Sequence, residues 1–508
     1  MSSLEQLRRQ AKALRKAFAS GAPEAVARVR AVLPEAAEIK HADALHILAR
    51  EAGHASWPKL KFSVDAAEMD RAAKAERLKI ALYFGQHWVV DALLSETPDL
   101  GRDNFGLACA VYDIEHVTAV LGRDPDAATR AIGVRRPMCH LAFSQHLHGQ
   151  GSESDMLAVA NALAEHGASA NDFYNYNDQD NSPLSVLYGA IGHSNNMALG
   201  RWLLERGADP NDNESLYHAT ELGHHEGLRM LLDHGAKVEG TNALLRAMDF
   251  NDHTAIRMML QAGADPNEGF FHHPSGEPMG RVYPLHQAAR RMNDAEMVRI
   301  LLDAGADPTV TFDGLAPYEF ARVYGNAEVA QALREKGGAV PLQGQIALLA
   351  RIADGEEPGA FLNPAKLPDE LRNMVRAILH QPNVMDHLQR LIAAGMEWDR
   401  PDDMGVTPVQ TAGWEGLPDI MAYFLRLRPD LSHVNDYGGT LLGTIIHGSE
   451  NCPDRAERDH IACARLALEE GVALPKRAIE LAGEEDMAEF LAEWGAAHPG
   501  QVVQDGPG

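Results

Sequence analysis

Between residues 200 and 310 the apolar and polar positions recur in one phrase, a run of aliphatic side chains closed by Gly-Ala and usually Asp-Pro. It reads LLERGADPN at 203–211, MLLDHGAKV at 230–238, MMLQAGADPN at 258–267 and ILLDAGADPT at 300–309. Gly207, Gly235 and Gly263 stand 28 residues apart, and Gly305 follows after 42. Recurrence on that scale predicts a stack of small units, each too thin to bury its apolar face alone. It favours binding over a globular enzyme fold and leaves the partner open.

The punctuation within a unit predicts its elements. In YPLHQAARRMNDAEMVRILLDAGADPT (283–309), Pro284 suits a first helical turn, where no amide proton is needed. Leu285, Ala288 and Ala289 form a narrow apolar stripe that lets a second helix approach closely. Met297, Val298, Ile300, Leu301 and Leu302 supply that helix, Gly305 ends it in a left-handed conformation, and Pro308 prevents its resumption. The unit is helix, turn, helix, loop.

These residues resemble the ankyrin repeat, whose signature is Thr-Pro-Leu-His-x-Ala-Ala, a Gly-His turn, an aliphatic second helix and Gly-Ala-Asp. The nearest strings are SLYHATELGHHEGLRMLLDHGA (215–236), YPLHQAA (283–289), DGLAPYEFARVYGNAEVAQAL (313–333) and GVTPVQTAGWEG (405–416), with fainter copies over roughly 70–497. The resemblance implies an all-α solenoid of about a dozen helix pairs. Its expected divisions are an N-terminal helical cap at 1–65, the main array at 70–340, degenerate helical repeats at 341–404, further repeats and a C-terminal cap at 405–497, and a disordered tail at 498–508.

The N-terminus carries a different pattern. Leu4, Leu7, Ala11, Leu14 and Phe18 follow a helical period with arginines and lysines on the other faces. A second helix is predicted from Pro23 to Leu33 and a third over 41–61. The string HADALHILAREAGHASWPKLK (41–61) resembles a short helical segment that often precedes such arrays in bacterial proteins. Its expected role is to seal the first repeat.

Charge narrows the partners. Residues 1–80 hold 15 Lys/Arg against 10 Asp/Glu, which leaves 31 against 62 in the remainder of a chain of net charge −26. An acidic array of this size repels nucleic acid and favours a basic protein surface. No stretch has the length and apolarity of a membrane span, and no apolar signal core opens the chain, so a monomeric cytoplasmic protein is expected. Cys109, Cys139, Cys452 and Cys463 form no paired motif and read as reduced, buried thiols.

Chemistry is weakly signalled. Cys139, His140, His146 and His148 crowd together, but without zinc-site spacing, and His140 and His286 fall where the resemblance places a structural histidine. The run NDFYNYNDQDNS (171–182) lacks the central glycine and terminal glutamate of a calcium loop. No phosphate-binding, metalloprotease or nucleophile-elbow motif occurs. No catalytic residue, metal or cofactor is therefore expected.

Two enlarged loops carry the candidate anchors. Phe173, Tyr174 and Tyr176 sit in the first, and Phe270, Phe271, His272 and His273 in EGFFHHPSGEPMGRVY (268–283). Aromatic rings amid polar residues have the composition of interface anchors; the alternative is that the loops fold back and bury the rings. Arg290, Arg291, Tyr324 and Trp414 follow the alanines of their units, a register the resemblance places on the concave face. The expected function is a non-catalytic scaffold or adaptor that binds another protein on that face. The alternatives are an inhibitor or immunity-type protein that sequesters one enzyme or toxin, and an enzyme with a site on the finger loops.

Overall fold

Each unit is a helical hairpin whose ends are written in its sequence. Second helices begin on an Asx cap: Asp113, Asn196, Asp252, Asp294, Asn326 and Asp459 each accept a hydrogen bond from the amide three residues on. They end on a glycine in the left-handed region, as at Gly207 (φ 84°), Gly235 (86°), Gly263 (99°) and Gly305 (101°). The asparagine closing the Gly-Ala-Asp-Pro-Asn phrase also has a job: Asn267 Nδ2 donates to Gly305 O at 3.1 Å and its Oδ1 accepts from Asp307 N at 2.7 Å, stitching one loop to the next.

The structure, a computed structural model, describes residues 4–39, 41–175, 183–269, 282–452 and 455–504. Twelve helix pairs follow one another among these residues. The first are Arg71–Tyr83 with His87–Glu96, Phe105–Ala110 with Ile114–Leu121, and Pro137–Ala142 with Glu153–Glu165. In the fourth, Val186–Tyr188 runs on into a π-helical turn, Gly189–His193, before Met197–Leu204. Then come Ser215–Ala219 with Glu226–Asp233, Ala243–Asp249 with His253–Gln261, Pro284–Arg290 with Ala295–Asp303, and Pro317–Val323 with Ala327–Glu335. The ninth pair, Gly344–Ala353 with Met385–Ala393, is split by an insertion holding the short helices Asp369–Arg372 and Met374–Ala377. Pro408–Trp414 with Pro418–Arg426, Leu441–Asn451 with His460–Glu469, and Lys476–Leu481 with Glu485–Ala497 complete the series.

First helices pack on first helices of adjacent units, as Pro284–Arg290 does on Pro317–Val323. Second helices pack on second, as Ala295–Asp303 does on Ala327–Glu335. Two rows result, and one hydrophobic cluster between them runs from Ala108 to Leu491. This is an all-α repeat solenoid, as the repeated phrase predicts.

Three regions depart from expectation. The segment expected as one helix over 41–61 is two, His41–Glu51 and Trp57–Glu68, because Gly53 turns left-handed (φ 86°) and Pro58 begins a new first turn. With Leu4–Ala19 and Pro23–Val32 these helices form a bundle around Leu7, Ala11, Leu14, Val29, Leu45 and the fully buried Trp57. The tail expected to be disordered turns back as far as residue 504: Val502–Val503 pairs in parallel with Leu474–Pro475, and Gln501 Nε2 donates to Leu468 O and Val472 O. Lastly, the first enlarged loop forms a hairpin, Phe173–Asn175 antiparallel to Pro183–Ser185.

Candidate interaction surface

Strand geometry separates the two described rings of that hairpin. Neighbouring side chains in a strand point to opposite faces, and here Phe173 is 51% exposed whereas Tyr174 is 4% exposed. Tyr174 is therefore packed inside, contrary to the reading of it as an exposed anchor, and the reason is Arg135. That guanidinium leaves the preceding finger, donates to Tyr174 Oη at 2.8 Å, and lies 4.3 Å from the Tyr174 ring centroid, 4.6 Å from that of Tyr83 and 5.4 Å from that of Phe143. Three faces of π-density around one cation are mutually stabilising. The bond ties two fingers together and leaves Val134 (68% exposed), in the turn of one, and Phe173, at the base of the other's hairpin, facing solvent. A further finger presents Val434 and Tyr437.

Tyr176, Phe270, Phe271, His272 and His273 lie outside the described residues. The remaining candidates are placed as follows. Tyr324 is fully buried at the end of Pro317–Val323, so its ring is not offered to a partner. Arg290 and Arg291 are half-buried and spend their charge within the chain. Arg290 NH1 reaches Glu370 Oε1 at 2.8 Å, and the Tyr324 hydroxyl stands 3.4 Å from the same oxygen. Gln381 Nε2 donates to Tyr324 O at 3.0 Å, so the insertion between the helices of the ninth pair covers these ends of the seventh and eighth first helices. Arg291 Nε lies 2.9 Å from Asp249 Oδ1 but off the N–H direction, which makes it an ion pair without an aligned hydrogen bond. Trp414 is half-buried, and its carbonyl accepts from His460 Nε2 at 2.8 Å.

The Arg290–Arg291 contacts belong to a longer chain of charged groups that crosses the first-helix row. His218 lies between Glu221 Oε2 (2.7 Å from Nδ1) and Glu214 Oε2 (3.3 Å from Nε2). Glu221 Oε1 accepts from Arg246 Nε at 2.7 Å, and Arg246 NH1 donates to Asp249 Oδ2 at 2.9 Å. Gln287 links Asp249 (2.7 Å) to Arg290 Nε (2.6 Å), which leads to Glu370 and Tyr324. Burial alone would lower the His218 pKa, yet carboxylates on both ring nitrogens outweigh it and hold the value at about 9. Burial would also raise the Asp249 pKa, but Arg291 and Arg246 keep its carboxyl below the usual range. Elsewhere burial prevails: His140, His193 and His286 are each lowered to about 4 and bond backbone carbonyls as neutral rings.

Sequence reasoning missed Arg135, Asp249, His218 and Glu370. Arg135 carried a signal, as an arginine in a Gly-Val-Arg-Arg-Pro finger within an acidic chain. Glu370 reaches Arg290 from 80 residues away within the insertion, and Asp249 meets Arg291 from an adjacent repeat, whereas His218 has its carboxylates three and four residues away on its own helix and was overlooked. The four cysteines are buried, and burial pushes the Cys139 and Cys463 thiols up to about 12. Among the described residues no three His, Cys, Asp or Glu side chains are grouped to hold a metal ion. No helix among them is long and apolar enough to cross a membrane.

Comparison with known proteins meets this geometry from another side. Residues 187–269 match the family model for ankyrin repeats in three copies, and residues 282–311 match that for the ankyrin repeat. Among solved structures, the human ASB11 ankyrin repeat domain is similar at 21% identity, covering 48% of this chain and 100% of that one, with a TM-score of 0.35. No curated protein matches the chain. The phrase read at 203–211, 230–238, 258–267 and 300–309 is thus that of the ankyrin repeat, which the family models match over residues 187–269 and 282–311.

Proposed function

We propose that the chain is a non-catalytic, cytoplasmic scaffold or adaptor of bacterial type that binds a protein partner across its finger loops. Ankyrin repeats generally mediate protein–protein interaction. The observation that carries the reading here is the pair of adjacent fingers locked by Arg135 and Tyr174, with Val134 and Phe173 turned to solvent. Apolar side chains held at fixed separation on rigid loops give an interface anchors whose ordering cost is already met. The acidic surround steers a basic partner toward them. Because Arg290, Arg291 and Tyr324 are engaged within the chain, the fingers, and not those first-helix ends, form the proposed contact.

The test is affinity capture with the full chain against a Val134→Ser/Phe173→Ser variant, using Phe361→Ser, which alters an exposed ring in the insertion, as control. A protein retained by the native chain and the control but lost by the finger variant, at unchanged melting temperature, supports the proposal. Equal retention by all three would move the contact away from these fingers.

A further inference from the structure

Beside the finger that carries Val434 and Tyr437 lies an open slot of about 70 Å³. Trp398 and Asp399, which lead into the preceding finger, form one wall. Pro408 and Val409, at the start of Pro408–Trp414, form a second, and Pro429 and Asp430, which lead into the next finger, form the third. Val409 and Phe424 of Pro418–Arg426 are buried and close the inner end, whereas Asp399 and Asp430 are exposed at the mouth.

The two fingers hold each other in place. Asp436 N donates to Met404 O at 2.9 Å, and His433 Nε2 lies 2.6 Å from Gly405 O. The first finger is turned by Asp402 Oδ1, which accepts from Met404 N and Val406 N. The second is turned by the buried Asn435, whose Oδ1 accepts from Gly439 N. The walls are thus fixed before anything enters, and filling the slot orders little of the chain.

Size and charge name the occupant. Sites for whole small molecules run to roughly 300 Å³ or more, and this one has room for a single side chain. Its apolar inner end selects an aliphatic one. At the mouth, neither Asp399 nor Asp430 is ion-paired among the described residues. Ser432 N and Oγ donate to Asp430 Oδ1 at 2.9 and 2.6 Å, which holds this carboxyl below its usual range and leaves Oδ2 open. The neighbouring arginines are committed elsewhere, Arg376 to Asp402 and Arg400 to Asp369, each at 3.2 Å. Trp398, half-buried in the wall, offers a ring to a cationic side chain.

We propose that this slot receives an aliphatic side chain from a segment of the protein partner, and that Lys or Arg residues flanking it pair with Asp399 and Asp430. The inference rests on the finger-loop reading above and deepens it, because it gives the partner a local chemistry: one aliphatic residue between two cations.

The test presents the full chain to an array of short peptides with randomised flanks and a centre of Arg-Leu-Lys, Arg-Ser-Lys or Glu-Leu-Glu. Arg-Leu-Lys centres should be retained about tenfold above Arg-Ser-Lys, the effect of burying one aliphatic side chain, and Glu-Leu-Glu centres should not be retained. Asp399→Asn/Asp430→Asn should lower retention of Arg-Leu-Lys roughly fivefold at unchanged melting temperature. Glu205→Gln/Asp303→Asn, which removes two exposed carboxylates at the ends of second helices, should not. Val409→Met, which fills the slot, should erase the preference for Leu over Ser. Equal retention of Leu and Ser centres by the native chain, or Glu-Leu-Glu retained best, would overturn the proposal. So would native retention by the Asp399→Asn/Asp430→Asn variant. The Val134→Ser/Phe173→Ser variant should read the array as the native chain does. A captured protein lost by that variant but kept by both slot variants would overturn the slot and leave the finger-loop reading standing. A dimer that Asp399→Asn/Asp430→Asn dissociates would reassign the slot to a second copy.

Discussion

Replacing Asp249 by Asn tests whether the charged chain across the first-helix row is structural. The carboxylate side chain is 9% exposed and is shared by Arg246 (16%), Arg291 (29%) and Gln287. The amide keeps the shape but removes the charge, and leaves one guanidinium facing an NH2 group and another with no carboxylate in reach. Removing one partner of a buried ion pair costs about 3–5 kcal/mol, because the remaining charge stays desolvated. A repeat array need not unfold in one step, so the loss is best read locally. Backbone amides of Ala243–Asp249 and Pro284–Arg290 should exchange hydrogen about two to three orders of magnitude faster, while those of Leu441–Asn451 change little. Combining Asp249→Asn with Arg291→Gln removes one orphaned cation and should recover part of the loss. Exchange accelerated less than tenfold, or no recovery in the double variant, would show that solvent already screens the network and refute the reasoning.

Two further outcomes follow from single residues. Gly448→Ala, inside Leu441–Asn451, would place a Cβ 2.1 Å from Trp414 O, a backbone atom that cannot step aside. Helix propensity would gain about 1 kcal/mol, but the clash should reverse the sign and cost about 3 kcal/mol. Thermal melts beside Gly359→Ala, where an added Cβ meets nothing within 4 Å, check this. His218, raised from 6.5 to about 9 by its two carboxylates, contributes roughly 3 kcal/mol that is complete below 6.5 and disappears as pH rises through 9. Urea midpoints at pH 6 and pH 9.5 should therefore diverge more for the native chain than for His218→Gln.

The fold was legible because its signals are local. Left-handed glycines after second helices, Asx caps before them and proline at first-helix starts act within a few residues, and repetition multiplies each weak signal. Where a cue stood alone it was missed. Gly53 and Pro58 split one predicted helix, and Gln501 held a tail that composition marked as free. The insertion within the ninth pair has no repeating counterpart, so nothing in its sequence said that Glu370 and Gln381 would reach the ends of Pro284–Arg290 and Pro317–Val323.

The candidate surface was half legible for a similar reason. Period-two alternation requires that one of Phe173 and Tyr174 face in, but which one depends on Arg135, whose finger lies 39 residues upstream. The Arg290–Arg291 pair stood out as a basic spot in an acidic chain; its partners are distant in sequence, so its satisfaction could not be read. That satisfaction has an electrostatic consequence. The connected row holds Glu214, Glu221, Asp249 and Glu370 against Arg246, Arg290, Arg291 and a protonated His218, and so carries no net charge near neutral pH. With His218 protonated the chain's formal net charge of −26, counted with neutral histidines, becomes −25, and all of it resides outside this row. The proposed basic partner would be drawn by charges that the row does not contribute, and the row remains free to fix the geometry of the repeats that carry them.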